Sequence, residues 1–307
     1  MMAAGLALFY IGLATRRELV VAGAILHLAG WLWGAAALIR MAVRHWGAQA
    51  RYALLIFGFF AVGVCGDAVF ALALATGDYR HAPYALHGAV WFFLLPVFLG
   101  VSTRMVPFFS KGILGPQVDY KPGWARPALV VGARTHGALQ LTGAEHLLWL
   151  IDLPMAIAIT LLAWKWGLRK SAGTRLLAVL HWSLAVLALS FFLSAALSLG
   201  VAAGTLPRLG LAPLHLLVIG YFAATVLGMV SRVALGHSGR PLHADTLTWT
   251  CYIGVLLAAA LRAVAEFLPG SSLSSAFMMA AALAWLAAFG VWAVRYVPMY
   301  LRPRVTR

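Results

Sequence analysis

Two segments of the chain each place a histidine and an arginine at opposite ends of an apolar run. His87 precedes Arg104 by seventeen positions, and His215 precedes Arg232 by the same interval, with no other charged residue between them. In a helix that rises ~1.5 Å per residue, seventeen steps cover roughly 25 Å, which is close to the thickness of the hydrocarbon core of a bilayer. Ionisable side chains are costly there and usually functional, and histidine is the commonest metal ligand. The pattern therefore predicts two membrane-spanning helices that each carry a candidate ligand.

The two segments also align with each other without a gap. Aligning His87 with His215 brings Arg104 onto Arg232 and pairs a glycine with a glycine four positions before each arginine. Because histidine and arginine are scarce in this chain, a match at both ends favours a parallel internal repeat.

The composition defines the class of protein. The chain of 307 residues is 63% hydrophobic and 10% charged, with a mean hydropathy of +0.91, whereas soluble domains are about half apolar and a quarter charged. We therefore expect an all-α polytopic transmembrane bundle that forms a single membrane domain over residues 1–307. The 23 Lys and Arg residues against 8 acids do not indicate nucleic-acid binding, since membrane proteins concentrate basic residues in cytoplasmic loops.

Apolar runs of about twenty residues predict the spans. The first fourteen residues are also apolar but short, so the chain has nine predicted spans without them and ten with them. The nine longer runs lie near 19–43, 52–76, 84–107, 124–142, 146–167, 174–200, 212–236, 246–268 and 274–300.

Loop charges predict the orientation. One set of alternate connections carries most of the basic residues and is therefore predicted to be cytoplasmic, with a cytoplasmic C-terminus. The other set contains Arg16, Arg17, Arg80, Arg208 and Arg262. The cytoplasmic set comprises Arg40, Arg44, Arg51, Lys111, Lys121, Arg126, Lys165, Arg169, Lys170, Arg175, Arg240, Arg295, Arg302, Arg304 and Arg307.

Several histidines are predicted to lie at similar depths in the membrane. Helices that enter from the outer face put His87 and His215 about one turn below the outer boundary and His27 about two turns below it. Haem in a helical bundle is normally held by histidines of facing helices at similar depth. We therefore predict that His87 and His215 bind haem or copper, with His27 as a further metal ligand. Alternatively, each of these histidines donates a hydrogen bond to a backbone carbonyl within the packed bundle, or is hydrated at the membrane interface.

The other histidines are weaker candidates. His181 lies in the inner half of its helix, where it either binds a second metal or packs in the core. His237 follows Gly236 at an inner helix exit and is either a metal ligand or part of the loop that ends the helix. Loop positions are predicted to face water at His45, His81 and His243.

Three charged residues bear on the same site. Asp67 lies in the middle of a span, where a lone carboxylate is costly. It could orient a metal-bound histidine, take part in a proton path, or bond a neighbouring helix. Arg104 and Arg232 could bind haem propionates, although their shared inner depth favours snorkelling to the headgroups.

Two stretches of the sequence resemble a known family. The run from His215 to Leu242 resembles the signature helix and exit loop of the NnrS family, and Ser102–Phe109 is similar to that family's earlier arginine–proline motif. The resemblance implies a bacterial inner-membrane protein that contains haem b and copper and takes part in the response to nitric oxide and nitrosative stress during denitrification. The positions that match are His87, Arg104, His215, Arg232, His237 and Arg240.

The chain departs from the family pattern at its N-terminus. Family members are about two helices longer there, and their opening helix carries a histidine–glutamate motif that this sequence lacks. If that histidine is a ligand in the family, we expect either that this chain binds less metal or none, or that it is an incomplete gene product.

Three functions remain open at this stage. The leading hypothesis is a haem and copper protein that binds nitric oxide or another small gas, with turnover undecided. The second is a metal-free, proton-coupled transporter or channel in which Asp67 and the histidines are coupling residues. The third is an assembly or scaffold partner of denitrification enzymes.

Overall fold

The computed structural model describes residues 1–44 and 47–302, and the side chains of residues 48–56 are not described. This part of the chain is helical and contains no strand. Four predicted loop or tail positions fall outside it: His45, Arg304 and Arg307, and the side chain of Arg51. His81 and His243 are exposed, as predicted.

The helices follow the predicted order closely. Short 3-10 turns at Pro116–Val118 and Glu145–Leu147 join some of them. The helices are α1 Met2–Ala14, α2 Arg17–Arg44, α3 Ala48–Thr76, α4 Ala82–Leu114, α5 Ala125–Leu141, α6 Trp149–Lys165, α7 Leu168–Ser171, α8 Arg175–Ala202, α9 Ala212–His237, α10 Thr246–Ala265 and α11 Ser272–Leu301.

Seven helices in the described part of the chain are long and apolar enough to cross a membrane. They are α2, residues 57–76 of α3, α4, and α8 to α11. The other three predicted spans correspond to α1, with 13 residues, and to α5 and α6, with 17 residues each. The prediction of an all-α polytopic bundle is confirmed.

The chain divides into two compact units, and the prediction of a single membrane domain stays a prediction. Unit 1 comprises Met1–Val101 and Arg126–Ala144, and unit 2 comprises Ser102–Ala125 and Glu145–Arg307. Within unit 1, α1 packs along α2, and α2 packs against α3. Within unit 2, α6 packs along α8, and α10 packs along α11.

Buried hydrogen bonds connect the helices of unit 2. The Thr225 hydroxyl donates to Ser183 Oγ over 2.9 Å, and the Trp292 indole donates to Ser231 Oγ over 2.7 Å. Ser194 donates to a carboxylate oxygen of the fully buried Asp152 over 2.5 Å. Where the surroundings are lipid rather than water, such bonds satisfy polar groups and join helices.

The loop after α4 is fixed by two ion pairs and an indole. Asp119 pairs with Lys111 over 2.6 Å and with Lys121 over 2.5 Å. The Trp166 indole donates to the Tyr120 carbonyl over 2.6 Å. This loop therefore has a defined shape next to the end of α6.

The Asp119 ion pairs predict a pH effect on stability. Hydrogen bonds from Lys111 and then Lys121 hold the pKa of the Asp119 carboxyl below its usual value of 3.8. A lowered pKa contributes stability above the unfolded value, and this contribution is lost as the pH falls below about 4 through the folded-state pKa. Between pH 5 and pH 3, we expect the melting temperature of the parent protein to fall further than that of Asp119→Asn. An equal fall in the melting temperatures of both proteins would contradict this role.

Candidate functional site

The two helices of the predicted repeat share an unusual backbone feature. In α4 a π-helical segment, Ala89–Leu94, begins two residues after His87, and in α9 the π-helical segment Leu216–Ala223 follows His215 directly. Both helices also start with an Ala-Pro pair, and proline suits the first helical turn because its missing N–H is not needed there. π-helical turns are rare and are frequent at functional sites. The likeness between the two segments thus extends from sequence to backbone.

His27 and Asp67 form a pair in unit 1. His27 Nδ1 lies 3.2 Å from Asp67 Oδ2, and both side chains are about one-fifth exposed. With the proton on Nδ1, the imidazole donates to the carboxylate, and its Nε2 has no hydrogen-bond partner among the described residues. A carboxylate that fixes one ring nitrogen while the other stays available is the usual arrangement behind a metal-bound histidine.

An aromatic cluster lies beside His27. The Trp31 ring meets the His27 ring edge-on, with centroids 6.1 Å apart. Trp31 also lies 4.4 Å from Phe60 and 5.8 Å from Phe93, which belongs to the π-helical segment of α4. Aromatic rings therefore line one side of His27.

Two further histidines of unit 1 occupy different settings. His87 is partly buried near the start of α4. His136 on α5 is 1% exposed, and its ring lies against Trp91 with centroids 3.7 Å apart and a tilt of 31° between the planes. The indole therefore covers one face of the His136 ring.

In unit 2, His215 faces a carboxylate that the sequence pattern did not predict. His215 Nδ1 lies 3.8 Å from Glu266 Oε1, and Arg262 Nη1 holds the same oxygen at 2.5 Å. The available signal was the spacing of Arg262 and Glu266, four residues apart at the end of a predicted span. Each unit therefore contains a histidine whose Nδ1 faces a carboxylate, as a hydrogen bond in unit 1 and at longer range in unit 2.

His181 lies in a different environment. It is fully buried in unit 2, its Nε2 lies 2.9 Å from Ser110 Oγ, and its Nδ1 has no hydrogen-bond partner among the described residues. The structure therefore places the His181 side chain in the packed core of unit 2.

The two motifs that resemble the NnrS pattern meet in unit 2. Tyr221 and Ser102 share a buried hydrogen bond of 2.9 Å. Nearer the other end of α9, the Arg232 guanidinium lies 4.1 Å from the centroid of the Phe109 ring. Beside this contact is an open pocket of about 410 Å³, which His237 also lines.

This pocket lies far from His215. Arg232 follows His215 by seventeen residues, or roughly 25 Å of helix. The pocket offers a guanidinium stacked on an aromatic ring, next to an exposed imidazole at His237. Such a lining suits an anionic group.

The other arginine of the predicted repeat, Arg104, is exposed on α4.

The described residues fit some metal centres better than others. They contain no group of three or more His, Cys, Asp or Glu side chains that could hold a metal ion. These residues therefore form no copper centre with three ligands of these four types. Haem iron needs only one or two axial side chains, and a histidine oriented by a carboxylate meets that requirement.

Comparison with known proteins gives one match. The NnrS protein family matches residues 1–304. No curated protein and no solved structure matches the chain. The match extends over both units, both π-helical segments and both motifs, and the chain belongs to the NnrS family.

Proposed function

We propose that this protein is a haem-binding membrane protein of the NnrS type that binds nitric oxide as part of the response to nitrosative stress. The observation that carries the proposal is the pair formed by His27 and Asp67, because an imidazole held by a carboxylate inside apolar helices is prepared to ligate a metal. The family supports the same cofactor. His215 with Glu266 is the corresponding candidate in unit 2.

The side chains in unit 1 would have distinct tasks. His27 would hold the haem iron through Nε2, and Asp67 would keep the proton on Nδ1 and fix the orientation of the ring. Trp31 and its aromatic neighbours would exclude water from that side. When bound, haem supplies ferrous iron as a site for a small neutral gas.

The remaining parts of the proposal rest on sequence and family. Joint ligation by His87 and His215 stays a prediction from their matched positions. Copper is proposed from the family alone, since the described residues hold no three-ligand group. We also propose that the protein lies in the bacterial inner membrane with its C-terminus in the cytoplasm, as the loop charges predict.

The purified protein tests the proposal directly. In mild detergent we expect a haem Soret band, iron by elemental analysis, and a shift of the reduced Soret band on anaerobic addition of nitric oxide. A reduced Soret band that does not shift when nitric oxide is added would refute nitric oxide binding. Protein purified from haem-replete cells with neither a Soret band nor iron would refute the haem proposal.

The same pair also supports a second candidate function. A histidine and a carboxylate in contact within membrane-spanning helices can exchange a proton, as coupling residues of transporters do. A transporter would bind no haem and would move a small solute with the proton gradient. Uptake into proteoliposomes that is abolished by Asp67→Asn, in protein without a Soret band, would favour this function over the proposed one.

A further inference from the structure

The connection between α6 and α8 forms a second pocket, in which positive charge is concentrated. The pocket has a volume of about 310 Å³ and is lined by Lys165, Arg169 and Lys170, together with Gln117, Val118, Trp164 and Gly167. No acidic side chain lines it. All these residues belong to unit 2.

The three cations are exposed, and none forms an ion pair with a described residue. Asp119, the acid on the adjoining loop, is already paired with Lys111 and Lys121. The pocket therefore keeps its positive charge. From the sequence, Lys165, Arg169 and Lys170 were predicted only to be basic residues of a cytoplasmic loop, and a shared site was not predicted.

The pocket has firm walls. One wall is the loop held by the bond from the Trp166 indole to the Tyr120 carbonyl. Gly167 adopts φ +95° at the turn between α6 and α7, and a Cβ there would lie 2.7 Å from Leu114 Cδ1 and 3.2 Å from Val118 Cγ1. The positive φ favours glycine at this turn. The turn and the loop therefore define the backbone that carries the lining.

The pocket lies near the ends of two candidate membrane spans. The candidate span α4 ends at Leu114, and the candidate span α8 begins at Arg175. Trp164 is 59% exposed, and the Lys165 ammonium lies 5.1 Å from the centroid of its ring. Tryptophan and lysine together are typical of the interface where lipid headgroups lie.

We propose that this pocket binds the phosphate group of an anionic phospholipid. Three cations without an ion-pair partner, in a pocket near the ends of two candidate spans, match a headgroup of net negative charge, and basic pockets between membrane helices bind such headgroups. A zwitterionic headgroup offers the same phosphate with a compensating cation and should bind more weakly. The site is independent of haem and of the histidines.

Native mass spectrometry of the detergent-purified protein tests this assignment. We expect dioleoylphosphatidylglycerol to bind at least fivefold more tightly than dioleoylphosphatidylcholine. Arg169→Gln and Lys170→Gln should each weaken phosphatidylglycerol binding by about fivefold, the usual effect of one basic residue near an anionic lipid. The matched control is Lys121→Gln, which removes a nearby cation that is paired with Asp119 and should leave binding unchanged.

Three results would overturn the proposal. The first is equal binding of the two lipids, and the second is unaltered phosphatidylglycerol binding by both Arg169→Gln and Lys170→Gln. The third is displacement of phosphatidylglycerol by an equal concentration of inorganic phosphate, which would identify a soluble phosphate as the ligand. Because both side chains are exposed, the variants should elute and melt like the parent in lipid-free detergent, and the comparison is made on such protein.

Discussion

His27→Ala is expected to remove most or all of the haem Soret band from the purified protein. The substitution deletes the imidazole whose Nδ1 is held by Asp67 at 3.2 Å and whose Nε2 is the proposed ligand. Asp67→Asn leaves the ligand in place and removes the charge that orients it. Loss of such an outer partner typically weakens metal binding by ~10–100-fold. Haem content per protein, measured as a pyridine haemochrome, gives both results.

The matched control is His81→Ala, which removes an exposed histidine of the same unit. It should retain full haem content. His87→Ala and His215→Ala, measured in the same way, test the ligand pair that the sequence predicts. Far-UV circular dichroism and a monodisperse elution profile show that each variant is folded. A folded His27→Ala protein with parental haem content and spectrum would exclude His27 as a ligand.

The helices could be predicted from the sequence because apolar runs of a given length have few alternatives in a membrane. Every polar backbone group must be bonded within its own segment, which makes each run a helix. The main departure is α4, which continues to Leu114 although the predicted span ended at residue 107. Pro107 lies inside this helix. Such prolines are tolerated in membrane helices because neighbouring groups satisfy the freed carbonyl.

The π-helical segments could not be predicted in the same way. A π-helical turn adds a residue to the helix without changing its apolar character, so the runs after His87 and His215 give no sign of it. The alignment of the two segments was the only available signal. It predicted that the two helices resemble each other, but not that both contain a π-helical segment.

Carboxylate partners show what depends on tertiary packing. Asp67 stood out because a single acid in an apolar run is conspicuous, and His27 was predicted from its depth. Their pairing required knowledge of how α2 packs against α3. Glu266 escaped notice because it follows the end of α10, where an acid is unremarkable, and only the packing of α9 on α10 brings it within 3.8 Å of His215 Nδ1.

Gly23→Ala is expected to destabilise unit 1 strongly by separating α1 from α2. A Cβ at Gly23 would lie 2.7 Å from the Gly5 carbonyl oxygen and would also meet the Phe9 backbone nitrogen. These are backbone atoms, so no side chain can rotate to relieve the overlap. Overpacking by one methyl group ordinarily costs ~1–3 kcal/mol. A backbone contact should place this variant at or above the upper end of that range.

Glycine recurs at seven-residue intervals along this contact, at Gly5 and Gly12 of α1 and at Gly23 and Gly30 of α2. Small residues let backbones approach closely, and the resulting van der Waals packing is one of the forces that drive helix association in lipid. Loss of contact at Gly23 should therefore lower the melting temperature by several degrees, as followed by tryptophan fluorescence in detergent.

Gly34→Ala is the matched control, because it makes the same chemical change in the same helix where nothing lies within 4 Å of the added Cβ. Alanine favours helix by roughly 1 kcal/mol over glycine, so this variant should melt at or above the parental temperature. The two alanine variants share the gain in helix propensity and differ only in what the methyl group meets. Equal melting temperatures would show that α1 does not pack on Gly23. A fall confined to Gly23→Ala would establish the close backbone contact that holds α1 beside the helix bearing His27.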